Sequence, residues 1–107
     1  MKKILSLLLL VMPLAIAAQV SGTISGKIID NDNKEPLGFV TVALFPQGST
    51  VPTGGCSSND DGTFTISNVK EGNYTLQFSF VGYLTDSRKV SVTATSNKRN
   101  IGTISLK

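Results

Sequence analysis

Histidine and tryptophan are absent from the 107 residues, and cysteine occurs once, at Cys56. Without an imidazole the chain has no side chain that titrates near neutral pH unaided and no nitrogen ligand of the usual kind for a metal. Ser/His/Asp and Cys/His triads are therefore excluded, and one thiolate cannot build a zinc site. A single cysteine allows no internal disulfide, so the folded unit must rest on its apolar core. An i, i+3, i+4 apolar stripe of helical length is also missing after the first twenty residues, as are internal repeats and low-complexity tracts. No basic patch with interleaved aromatics occurs, which removes nucleic acid from the expected partners.

The N-terminus carries an export signal. Met1-Lys2-Lys3 is a short basic segment, Ile4 to Leu14 is an apolar run broken only by Ser6 and Pro13, and Ala15-Ile16-Ala17-Ala18 offers the small side chains a signal peptidase accepts. The run is too short to span ~30 Å of hydrocarbon, so cleavage after Ala17 or Ala18 is expected rather than a retained transmembrane anchor. This divides the chain into a signal peptide over 1–18 and one domain over 19–107. Loss of Lys2 and Lys3 leaves eight basic residues against seven acidic ones, so the mature domain is nearly neutral. No cysteine directly follows the apolar run, so lipid attachment of the bacterial lipoprotein type is not indicated.

The remainder reads as strands, rich in Val, Ile, Thr, Ser, Phe and Tyr, with turn signals about every ten residues. Seven are expected. The first is Gly22 to Asp30, with Ile24 and Ile28 on one face, and the second is Leu37 to Phe45, with Val40, Val42 and Leu44 inward. Gly54 to Ser58 follows, then the hairpin turn Asn59-Asp60-Asp61-Gly62, whose Asp-Gly supplies a positive φ. Thr63 to Ile66 is the fourth strand, with Phe64 and Ile66 inward. Tyr74 to Phe80 is the fifth, where Tyr74, Leu76, Phe78 and Phe80 alternate with polar residues and mark a central strand. Arg88 to Thr93 carries Val90 and Val92, and a last strand carries Ile104 and Leu106. Seven short alternating strands predict an all-β, seven-stranded Greek-key β-sandwich.

Five segments in order carry a family resemblance: Gly26-Lys27-Ile28-Ile29-Asp30, Glu35-Pro36-Leu37-Gly38-Phe39-Val40-Thr41-Val42, Asn59-Asp60-Asp61-Gly62-Thr63-Phe64, Gly72-Asn73-Tyr74-Thr75-Leu76 and Phe80-Val81-Gly82-Tyr83. The stretch from Gly22 to Lys107 resembles the carboxypeptidase regulatory-like domain, a transthyretin (prealbumin)-like β-sandwich. The longer loop from Ala43 to Thr50 makes it most similar to the version at the N-terminus of TonB-dependent outer-membrane receptors, directly after a signal peptide. Two positions depart from the pattern: Asn59 stands where an Asp is usual and Ser57 where a β-former is usual. The resemblance implies a non-catalytic accessory domain, and in those receptors a plug and β-barrel follow. The partner it implies is an envelope protein or outer-membrane β-barrel. Independently of the family, Gly72 with Tyr74 fits a tyrosine corner, whose phenol bonds nearby backbone.

Candidate chemistry is sparse. Cys56 has no neighbouring base or helix N-terminus to activate it and reads as a small strand residue. If consecutive strands reverse direction, the turns after the first, third and fifth strands share one end. That end collects Asp30, Asp32, Glu35, Asp60, Asp61 and Asp86, and the opposite end holds Lys70, Lys98 and Arg99 with Glu71. Asp30, Asp32, Asp60 and Asp61 are weak calcium candidates. Lys34 falls where a calcium loop would place an acid or amide, so solvated turn residues are the preferred reading and no cofactor is expected. The functions that remain are an exported docking module of a Gram-negative cell envelope, an accessory domain of a TonB-dependent receptor, and a carbohydrate-binding module. For the last, only Phe39, Phe45 and Tyr83 are candidates for an exposed aromatic platform.

Overall fold

The alternating segments fold into seven strands in two sheets. The computed structural model describes residues 21–107, so the expected signal peptide lies outside the described residues. The strands are β1 (Ser21–Asp30), β2 (Thr41–Pro46), β3 (Gly54–Ser57), β4 (Thr63–Lys70), β5 (Gly72–Ser79), β6 (Asp86–Val92) and β7 (Lys98–Leu106). One sheet has the order β4-β1-β7 and the other β3-β2-β5-β6. All neighbours are antiparallel except β1 and β7, which run parallel. No helix among the described residues is long and apolar enough to cross a membrane.

The registers fix the direction of every strand. Ser21 pairs with Lys70 and Lys27 with Thr63, so β4 descends where β1 ascends. Thr41 lies opposite Ser79 and Pro46 opposite Tyr74, so β2 and β5 oppose each other. Gly72 pairs with Val92 and Phe78 with Asp86, and β7 climbs beside β1 from Thr23↔Lys98 to Asp30↔Leu106. Bonds from β1 to the neighbouring turns complete the frame: Ile28 N–H donates to Gly62 O, and Leu37 N–H donates to Ile28 O. Successive strands therefore reverse throughout. The turns after β1, β3 and β5 share one end, as the strand alternation predicts.

The inner faces meet in one core of Ile24, Ile28, Val40, Val42, Leu44, Phe64, Ile66, Val69, Leu76, Phe78, Val90, Val92, Ile104 and Leu106. Phe64 and Phe78 meet edge-on across the two sheets, with ring centroids 5.7 Å apart. Gly26 makes room for this pair, since a Cβ there would lie 2.8 Å from the Phe64 ring.

Most boundaries shift by one or two residues from the sequence reading, and three of the differences have a clear physical reason or consequence. β2 begins at Thr41, not Leu37, because Phe39 takes a left-handed conformation with φ 64° that a strand cannot continue through. β4 continues past Ile66 to Lys70. A bulge lies there, where one residue of β1 (between Gly22 and Ile24) stands opposite two of β4 (between Ile66 and Val69), and Asn68 has φ 59°. The extra residue shifts the phase and turns Val69 into the core. Phe80 falls just beyond β5; it is half-buried and stacks on Tyr83 with centroids 5.7 Å apart rather than entering the core.

Candidate functional site

The end reached by the turns after β1, β3 and β5 is built by short-range hydrogen bonds. Asp30 closes the first turn: its Oδ1 accepts from Asp32 N at 2.7 Å and Asn33 N at 3.1 Å. Lys34 takes φ 64° there and donates from Nζ to Asn31 O, while Glu35 N–H donates to Asn33 Oδ1. In the second turn, Gly62 N–H donates to Asn59 O and Asp61 Oδ1 accepts from both Thr63 N and Thr63 Oγ1. Gly62 cannot be replaced freely, because its φ is 84° and a Cβ would sit 2.5 Å from Ile28 O. The third turn, Phe80 to Tyr83, is tied to the first, as Tyr83 Oη donates to Asp30 Oδ2 at 2.5 Å.

These bonds set the local acidities. The Tyr83 hydroxyl, then the Asn33 and Asp32 amides, stabilise the Asp30 carboxylate and hold its pKa below the usual range. The same bond raises the Tyr83 phenol, helped by its partial desolvation and the nearby charge of Asp30. The Thr63 hydroxyl and amide lower Asp61 in the same way. Asp30 spends both oxygens on protein donors, and Asp61 spends one oxygen twice. Asp32 and Asp60 are exposed on the neighbouring turns. Among the described residues, no group of three or more acidic or cysteine side chains is placed to hold a metal ion.

A buried serine shapes the same end. Ser58 is 3% exposed; its Oγ donates to Leu37 O at 2.7 Å and accepts from Val40 N at 2.9 Å. Phe39 N–H donates to Ser58 O at 2.9 Å. The arc from Leu37 to Val40 is thereby pinned, and Phe39 projects outward at 71% exposure in its left-handed conformation. Such a backbone costs a bulky residue about 1–3 kcal/mol, which the Ser58 bonds and the burial of Val40 offset. Val81 and Leu84 are exposed at the same end, at 90% and 73%. Phe45 and Tyr83 are only half-buried, so Phe39 alone of the three aromatic candidates is prominent.

The remaining sequence candidates sit elsewhere. Cys56 lies on edge strand β3, half-buried, and burial pushes its thiol pKa up, which opposes nucleophilic use. Tyr74 Oη donates to Lys70 O at 2.7 Å, forming the tyrosine corner at the basic end. Ser58 and the Tyr83–Asp30 bond were not legible beforehand. A serine in a polar stretch gives no burial signal, and 53 residues separate Tyr83 from Asp30.

Strand order 4-1-7 against 3-2-5-6, with a parallel β1–β7 pair, defines a transthyretin-like β-sandwich. Within that class, a family model of the CarboxypepD_reg-like domain matches residues 24–106, and the chain belongs to this family. No curated protein matches it in sequence. Solved structures share the fold. One is BcpA, the major pilin subunit of Bacillus cereus, at TM-score 0.67 and 19% identity, covering 81% of this chain and 30% of that one. A chain of a type II cohesin–X–dockerin complex from Acetivibrio cellulolyticus matches at TM-score 0.60 and 28% identity, covering 77% and 52%. The 5-hydroxyisourate hydrolase of Klebsiella pneumoniae matches at TM-score 0.57 and 16% identity, covering 78% and 84%. This chain thus spans about half or less of the first two, and the fold hosts both enzymes and assembly proteins.

Proposed function

We propose that this chain is a non-catalytic docking module, exported to the cell envelope, where it serves as an accessory domain beside an outer-membrane β-barrel receptor of the TonB-dependent type. The observation that carries the docking role is the asymmetry of its ends. Three of the four prominently exposed large apolar residues among those described, Phe39, Val81 and Leu84, project from one end. Exposed apolar groups gathered in one place on a small domain are costly in water and mark a surface meant to be covered. The absence of histidine and the upward-shifted Cys56 thiol support a role without catalysis. The basic-apolar-small order of residues 1–18 supports export.

The test is fractionation and affinity purification of the full chain from cells that express it. The expected result is recovery in the envelope with a β-barrel protein and a mature N-terminus at Ala18 or Gln19 by intact mass. Recovery of Met1 to Lys107 uncleaved from the cytoplasm would refute the export, and purification without any envelope protein would refute the docking role.

A further inference from the structure

We infer that the docking surface is the acidic end itself, and that its partner is a protein surface with an apolar hollow rimmed by lysine and arginine. This rests on the docking reading above and adds where the partner sits and what it presents.

The strand order groups the apolar residues at one end. The last β2–β5 pair is Thr41↔Ser79, and Phe39 stands two residues before β2 while Val81 stands two residues after β5. Leu84 follows beside the start of β6, the next strand in that sheet, with its N–H held by Lys107 O at 2.7 Å. Phe39, Val81 and Leu84 thus follow the strand order β2, β5, β6 along one rim. Each part of the rim is backed by a fixed turn: the Ser58 clamp behind Phe39, the Phe80–Tyr83 turn behind Val81, and the bond to Lys107 at Leu84. Fixed apolar projections lose little conformational freedom on binding, which favours a partner with a matching hollow.

The charge around the rim selects the partner's border. Six of the chain's seven carboxylates lie on these turns, Glu71 being the exception. Asp60 and Asp61 share a shallow hollow with Phe39. Leu84 shares another with Asp86, where Arg88 and Lys107 also stand, Arg88 being paired with Asp86 at 3.7 Å. Lys34 is the cation of the first turn, and its ammonium is engaged by Asn31 O. Lys27 also acts on Asp61, so Lys27, Lys34, Arg88 and Lys107 face six carboxylates and the balance at this end stays negative. Carboxylates around an apolar patch favour a cationic border and repel anionic lipid headgroups, so a protein is the occupant and a membrane surface is not.

The test places the photo-crosslinking residue p-benzoylphenylalanine at Val81 and, separately, at Lys98 on the opposite end of the full chain, in cells that express it. The Val81 probe is expected to capture one protein segment with apolar residues flanked by Lys or Arg. A synthetic peptide of that segment should bind the purified chain, more weakly as salt rises. Phe39→Gly should weaken it by at least about tenfold while the melting temperature holds or rises, because glycine accepts the φ of 64°. Val81→Ser should weaken it with no change in melting, and Asp60→Lys should weaken it mainly through slower association. Capture of a second copy of this chain, of lipid, or of a segment without basic residues would overturn the inference, as would a Phe39→Gly variant that binds normally. Capture only from Lys98 would leave the docking role standing and refute its placement; capture from neither position would refute both.

Discussion

Ser58 does for the start of β2 what a further hydrogen-bonded strand pair would do in a longer sheet. Its hydroxyl satisfies one carbonyl and one amide at the place where β2 cannot yet run straight. Ser58→Ala would leave Leu37 O and Val40 N without that partner in a water-poor site. The expected loss is about 1–3 kcal/mol, read as a lower denaturation midpoint with an unchanged slope. Tyr83 and Asp30 make a prediction with a pH window. The folded pKa of Asp30 is depressed, so its contribution is present above the unfolded value near 3.9 and is lost as pH falls through the lower folded value. The folded pKa of Tyr83 is raised, so its contribution is fully present below the unfolded value near 10 and is lost as pH rises through the higher folded one. Melting curves of the native chain and Tyr83→Phe should therefore differ between about pH 4 and pH 10 and converge at both extremes. A constant difference across the whole range would show that the bond contributes nothing.

Among the elements, β5 is the one whose sequence states its position most fully. Leu76 and Phe78 are completely buried, whereas Gln77 between them is not. Phe78→Ala should cost ~3–5 kcal/mol and Gln77→Ala well under 1 kcal/mol; equal losses in chemical denaturation would contradict the register. β4 shows the opposite case. Its alternation of Phe64 and Ile66 predicts a strand that stops, since the next apolar residue, Val69, falls out of phase. The bulge at Asn68 restores the phase, but asparagine is equally at home in an ordinary turn, so nothing marks it in advance. β2 shows a third kind of miss. Leu37 to Val40 has strand composition, and only the tertiary clamp of Ser58 turns Phe39 out. The acidic end was legible because it needs only strand reversal and turn positions. Of its apolar rim only Phe39 was legible, because a valine and a leucine beside a glycine turn look no different from strand residues.

For the whole molecule, the same end decides how it responds to ions. The carboxylates of Asp30 and Asp61 already accept from fixed donors. Calcium would have to compete with those donors at Asp30 and at one oxygen of Asp61, and Asp32 and Asp60 stand on separate turns. Millimolar calcium is therefore expected to leave the melting temperature unchanged, and a calcium-dependent rise abolished by Asp60→Asn would show a site that these contacts do not display.

The parallel partnership of β1 and β7 has a mechanical consequence. The first strand starts at the basic end and the last strand finishes at the acidic one, and the two lie side by side in direct hydrogen bonding. A pull that drew Ser21 and Leu106 apart would slide these neighbours along each other. Their bonds, from Thr23↔Lys98 to Asp30↔Leu106, would carry the load together instead of opening one after another. The irregularity between Ser25 and Lys27, opposite Gly102, adds a step that such sliding must climb over. Set in line between a tether and a load, the domain would act as a link that resists extension.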